Sequence, residues 1–157
     1  MDATVGFVYV LDLRTCELIR KFSVSPVHHA EVCALTFCGG GSTIACMTVA
    51  NELVVYHVDG TLIISITVQA DGPIRCFDSD GEYAVGGSAT GKLLIWKLDA
   101  PRGHEQVLEI PDAHALGLSA LTVSTNASML VTASTDGGIR IWQLRKAAAR
   151  GRLPAFF

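Results

Sequence analysis

The apolar runs of this chain end in large side chains at a spacing near forty residues: Leu11, Tyr56, Trp96 and Trp142 lie 45, 40 and 46 residues apart. Between them Val, Ile and Thr crowd into short runs broken by glycine-bearing turns, as short tightly joined strands require. A small sheet of that length cannot bury both faces alone. Units of this period therefore stack around an axis and bury their apolar faces against their neighbours. The fold class expected is all-β, a partial β-propeller of about three and a half four-stranded blades.

Residues 5–11 (VGFVYVL) and 18–23 (LIRKFS) supply the outer two strands of a first, half blade, 5–23. The second blade, 30–69, reads VCALTF, TIACMTV, LVVYHV and LIISITV, with Gly39-Gly40-Gly41 and Asp59-Gly60 as turns at positive φ. The third, 70–110, reads PIRCFD, EYAVGGS, KLLIWKL and EQVLEI, with a longer polar link from Asp99 to His104 before its last strand. The fourth, 111–145, shows LSALTV, MLVTAS and GIRIWQL but no clear fourth strand. Residues 146–157, basic and then apolar, are expected to form a tail that orders on a partner surface, so the division is 1–145 and 146–157.

Bulk composition narrows the function classes. A chain of 157 residues that is 50% hydrophobic and 17% charged buries a core rather than staying disordered. A formal charge of −3 and the lack of a basic block in the repeats remove the footprint of a nucleic-acid binder. Its first residues lack a signal-peptide pattern and its longest apolar runs, such as 62–68, are strand-sized, so no transmembrane segment is expected. Five cysteines with no C-x-x-C pair read as reduced, mostly buried thiols of a cytoplasmic protein.

The segment AHALGLSALTVSTNASMLVTASTDGGIRIWQL, Ala113 to Leu144, resembles the blade signature of the WD-repeat family. That resemblance implies a buried hydrogen-bonded tetrad of His114, Ser134, Asp136 and Trp142, with Thr132 as the alternative hydroxyl. The separations of 22 residues from His114 to Asp136 and six from there to Trp142 fit the motif. Other blades depart from it: Thr90 and Ala50 stand six residues before Trp96 and Tyr56, where Asp is usual, and Lys97, Gln143 and His57 replace the Asp of the Trp-Asp dipeptide. Those blades must rely on packing.

A second stretch, LVVYHVDGTLIISITV with DGEYAVGGSATGKLLIWKL, is similar to the late blades of the C-terminal propeller of BEACH-domain proteins. This resemblance implies a membrane-trafficking scaffold, with PH-like and BEACH modules upstream and peripheral association with intracellular membranes through the parent protein. The expected function is non-catalytic protein binding by a propeller part of a larger protein, the partners being proteins or peptides and the remainder of the propeller. The alternatives are a self-pairing half-propeller adaptor, in which a second copy completes the ring, and an enzyme with an axial-channel site. No cofactor is expected.

Loops leading into the innermost strands are the candidate partner-binding positions: His28, His29, Asp71, Gly72, His114 and Ala115. His114, Ser134 and Asp136 contain the residue types of a hydrolase triad, but Ser134 lies inside a strand run rather than on an exposed elbow. A metal set drawn from His28, His29, Cys33 and Cys38 is disfavoured because the two cysteines, five apart on one strand, point to opposite faces. Axial catalysis would need polar inner-strand ends, whereas Val32, Leu35, Pro73, Ile74 and Leu121 are apolar beside Ser119. Arg75 is the single inner-strand arginine, too few for a phosphopeptide reader. Arg145, Lys146, Arg150 and Arg152 read as a solvated tail.

Overall fold

A computed structural model describes residues 7–24, 31–99, 103–125 and 128–143. Among the described residues thirteen strands form four separate sheets. β1 (Phe7–Leu11) and β2 (Leu18–Ser23) pair as a hairpin. β3 (Val32–Cys38), β4 (Thr43–Thr48), β5 (Glu52–His57) and β6 (Leu62–Thr67) form an antiparallel sheet in chain order. β7 (Ile74–Ser79), β8 (Tyr83–Ser88), β9 (Leu93–Asp99) and β10 (Gly103–Ile110) repeat it. β11 (Leu118–Val123), β12 (Met129–Ser134) and β13 (Ile139–Gln143) form a three-stranded sheet. The molecule is thus an open partial propeller.

One difference from the sequence reading lies in the third blade. The polar stretch from Asp99 to His104, expected as a longer link, is strand at its two ends, where Gly103 pairs with Asp99 and His104 with Leu98, and residues 100–102 lie outside the described residues. Polar composition is compatible with an outermost strand, so composition alone suggested a link. The 146–157 tail, Arg145 and the loop carrying His28 and His29 lie outside the described residues.

Alternation along each strand sends one set of side chains to the preceding blade and the other to the next. Leu53 and Val55 of β5 meet Leu94 and Trp96 of β9 in one core, together with Met47, Ile74 and Phe77. Leu93 and Ile95 turn the other way, onto Leu118 and Leu130 of the fourth blade. The half blade applies Val8, Val10, Phe22 and Val24 to Ile44, Cys46, Val54 and Tyr56. Each large apolar side chain buried in this way contributes about 1.5–3 kcal/mol. Trp96 lies so close to β8 that a Cβ on Gly86 would stand 2.9 Å from its ring, which is why a glycine is needed there.

The innermost strands β3, β7 and β11 lie side by side. Each carries the same register shift after its first residue, leaving Cys33, Arg75 and Ser119 as exposed bulge residues. At the far end of these strands Asp78 joins all three. Its carboxylate accepts from Thr36 Oγ1 on β3 (2.7 Å) and from Thr122 Oγ1 and the Val123 amide on β11 (3.1 and 2.9 Å).

Candidate binding rim and its polar network

One rim of the molecule gathers the loops that lead into the innermost strands and the turns between the second and third strands of each blade. These turns share a pattern: Thr48-Val49-Ala50-Asn51, Ser88-Ala89-Thr90-Gly91 and Ser134-Thr135-Asp136-Gly137. The fourth residue is at positive φ each time, 57° at Asn51, 89° at Gly91 and 82° at Gly137, so asparagine or glycine is needed there. The first residue caps the turn with its hydroxyl: Thr48 Oγ1 accepts the Glu52 amide, Ser88 Oγ those of Thr90 and Lys92, and Ser134 Oγ that of Asp136.

Ser134 is therefore committed to the turn. Its hydroxyl faces the carbonyls of Leu116 and Gly117, 3.0 Å from each, and it is not the member that meets the imidazole. That member is Thr132. Trp142 donates Nε1–H to Thr132 Oγ1 (2.9 Å), and the same oxygen lies 2.8 Å from His114 Nε2. Indole is only a donor, so Thr132 Oγ1 accepts from it and keeps its proton and a second lone pair for the bond with His114 Nε2. Nδ1 of the imidazole stands 3.4 Å from Asp136 Oδ2, without hydrogen-bond geometry.

Asp136 acts mainly on backbone. It accepts from the Gly138 amide (2.7 Å) and the Ala115 amide (3.1 Å), and these bonds, Gly138 foremost, with the imidazole nearby, hold its carboxyl below the ordinary 3.8. His114, Asp136 and Trp142 thus come together with Thr132, while Ser134 is the correction to the tetrad. The hydrolase arrangement is not assembled, because His114 faces Thr132 and the serine faces carbonyls.

The same rim pins the lead-in loops. Asn51 reaches from the second blade to the third, donating to Gly72 O (3.1 Å) and accepting from the Ile74 amide (3.0 Å). Gly91 O accepts the His114 amide (3.1 Å), so the third blade holds the fourth. The turn and loop are so close that a Cβ on Gly91 would stand 2.3 Å from His114 O. Asp71 is exposed and pairs with Lys92, which also bonds Glu109 (3.0 Å); the Asp71 bond first, then that to Glu109, raises the lysine pKa above 10.5.

Of the candidate partner-binding residues, Asp71 and Ala115 are exposed and Gly72 is half-buried. The His114 side chain is fully enclosed, so an approaching partner meets the loop it braces and not its ring. Asn51, Lys92 and Asp78 were not singled out by sequence reasoning. Asn51 had a local signal, standing in the same turn position as Gly91 and Gly137.

All five cysteines are free. Burial pushes the Cys46 thiol up to about 12 and the Cys76 thiol up to about 11, so neither is a ready nucleophile. Cys33 is exposed and Cys38 buried, on one strand. No helix among the described residues is long and apolar enough to cross a membrane.

The WD domain, G-beta repeat family matches residues 105–143, a stretch that runs from β10 through β13 and contains the His114–Thr132–Trp142 network. The match supports the WD-repeat propeller family. The repeat of the family model is offset from the sheets by one strand, beginning on the outermost strand of one blade and ending in the next. Dynein axonemal assembly factor 10 of Bos taurus is 28% identical over 99 residues, 55% of this chain and 27% of that protein. Protein ROOT INITIATION DEFECTIVE 3 of Arabidopsis thaliana is 31% identical over 74 residues, 46% of this chain and 16% of its own length. This chain therefore spans about a quarter or less of these relatives. A chain in the crystal structure of the mitotic checkpoint complex superposes with a TM-score of 0.70 at 15% identity, over 87% of this chain and 42% of that one. The computationally designed Ika4 protein gives 0.66 at 22% identity, over 88% and 79%. These two establish the fold alone.

Proposed function

We propose that this WD-type chain is a non-catalytic protein-binding platform, the C-terminal propeller part of a larger scaffold protein. The observation that carries the reading is the pinned rim. Side chains that bond to backbone hold each described lead-in loop before any partner arrives, Asn51 on Gly72 and Ile74, and Asp136 on Ala115. A surface fixed in advance loses little conformational entropy on binding. Residues 1–145 are taken as the propeller part and 146–157 as a separate tail. The parent we favour is a BEACH-type membrane-trafficking scaffold, cytoplasmic and peripheral on intracellular membranes, on the strength of the pattern in the second and third blades.

A photo-crosslinking side chain tests the platform. Placed at Asp71 or Leu116 on this rim, both exposed, it is expected to capture a discrete protein partner in cells. Placed at Glu82, in the turn at the opposite rim, it is expected to capture none. Equal capture from both rims overturns the assignment.

A further inference from the structure

Between the second and third blades lies a cavity of about 100 Å³ that opens at the rim opposite the proposed binding rim. Its floor is buried Cys38, Val55 and Ile64, and its mouth is half-buried Thr43, Ile63 and Leu98 with exposed Gly81. Two local features open it. Ile64 pairs with Val55 and Leu62 with Tyr56, so Ile63 is an extra residue in β6 and both isoleucines turn toward the third blade. Across the gap, the β7–β8 turn meets the second blade glycine to glycine. A Cβ on Gly81 would stand 2.9 Å from the Gly39 amide nitrogen, so that contact excludes a side chain which would narrow the mouth. At the next interface a tyrosine takes the place of Thr43. Tyr83 pairs with Lys97 as Thr43 pairs with His57, so the two stand at one position of successive blades. Tyr83 packs against the core that holds Ile95, the counterpart of Val55. Threonine is too short to fill the width that the ring takes there.

We propose that this cavity is a binding site for a free, uncharged, single-ring aromatic molecule, its ring on the Val55–Ile64 floor and its polar substituent at the mouth beside the Thr43 hydroxyl. The protein names the chemistry itself, since it fills the equivalent place with a phenol ring. Of the described residues that line the cavity only Cys38 carries a titratable group, and burial raises that thiol's pKa, so the interior is neutral and a charged guest would lose its hydration unrepaid. An apolar cavity of roughly 150 Å³ admits benzene. The smaller volume here suits a ring because the mouth is open and the substituent stays outside. The turn that borders the mouth, Asp80-Gly81-Glu82, is polar, which fits a free molecule better than a polypeptide seeking continuous apolar surface. A guest held between two blades binds only the folded chain and so stabilises it. The site lies away from the platform rim, and the failure of either reading leaves the other standing.

The test titrates p-cresol, the tyrosine side chain as a separate molecule, into the full chain with labelled methyl groups. Saturable shifts are expected at the methyls of Val55, Ile63, Ile64 and Leu98, together with a higher melting temperature. Thr43→Tyr, which copies the arrangement at Tyr83, is expected to bind about tenfold or more weakly, while Thr43→Val, of unchanged size, binds as the unaltered chain does. Circular dichroism checks the fold, and Thr43→Leu serves as the milder filling variant. Benzoate, the charged ring, is expected not to bind. The proposal is overturned if the shifts at those methyls do not saturate, if they are matched at Ile139 and Ile141 on the far sheet, or if a folded filling variant binds p-cresol equally. Tighter binding of N-acetyltyrosine amide than of p-cresol would overturn it too, by making the occupant a side chain of a polypeptide.

Discussion

At the scale of single residues, the polar network turns on which hydroxyl does which task. Thr132 links the indole to the imidazole, whereas Ser134 caps a turn at the rim. Thr132→Val keeps the shape but leaves both Trp142 Nε1 and His114 Nε2 without that partner, each loss costing about 1–3 kcal/mol when the group is buried. Ser134→Ala removes its capping bond and its bond to the loop carbonyls of Leu116 and Gly117, each an ordinary bond worth about 0.5–1.5 kcal/mol. Urea denaturation is expected to rank Thr132→Val as the more destabilising; the reverse order would return Ser134 to the network. Spacing alone left both hydroxyls available, because they lie two apart and share a strand face. The deciding signal sits in the other blades: Thr48 and Ser88 occupy the place of Ser134 where no histidine–tryptophan network exists, so that place belongs to the turn. Cys46 and Gly86 hold the place of Thr132 there, and Tyr56 instead sends its hydroxyl to the Val24 carbonyl.

At the scale of elements, strand positions were legible because each blade sets short apolar runs between turns marked by Gly or Asn. The pairing of Asp99 with Gly103 and of Leu98 with His104 was not, since polar residues there carry no apolar signature. Asp78 was hidden for a different reason: its partners Thr36 and Thr122 are 42 and 44 residues away, and nothing local distinguishes it from a solvated strand carboxylate. It ties the innermost strands of three blades through one side chain. Asp78→Ala is expected to cost about 2–3 kcal/mol, since bonds to a charged acceptor are worth about 1.5–3. Hydrogen exchange is expected to rise in β3 and β11 together, while the β8–β10 ladder keeps its protection. A change confined to β7 would reduce Asp78 to a local role.

At the scale of the whole molecule, the last sheet presents an apolar row to solvent among the described residues. Ile139 and Ile141 on β13 are 72% and 63% exposed, in a row that inside the stack would lie against a following blade. Apolar faces of this kind mark association sites. Ile139→Ser/Ile141→Ser is expected to reduce self-association in sedimentation velocity with little change in melting temperature; unchanged association would locate the sticky surface elsewhere. The open arc has one further consequence at its axis. The bulge repeated at the head of β3, β7 and β11 sets a thiol, a guanidinium and a hydroxyl at three matching exposed positions, of which the thiol also bonds the Met47 and Ile74 carbonyls. Exchanging Arg75 or Ser119 would change the chemistry displayed along the inner strands while the ladders that hold β7 and β11 keep their pairing.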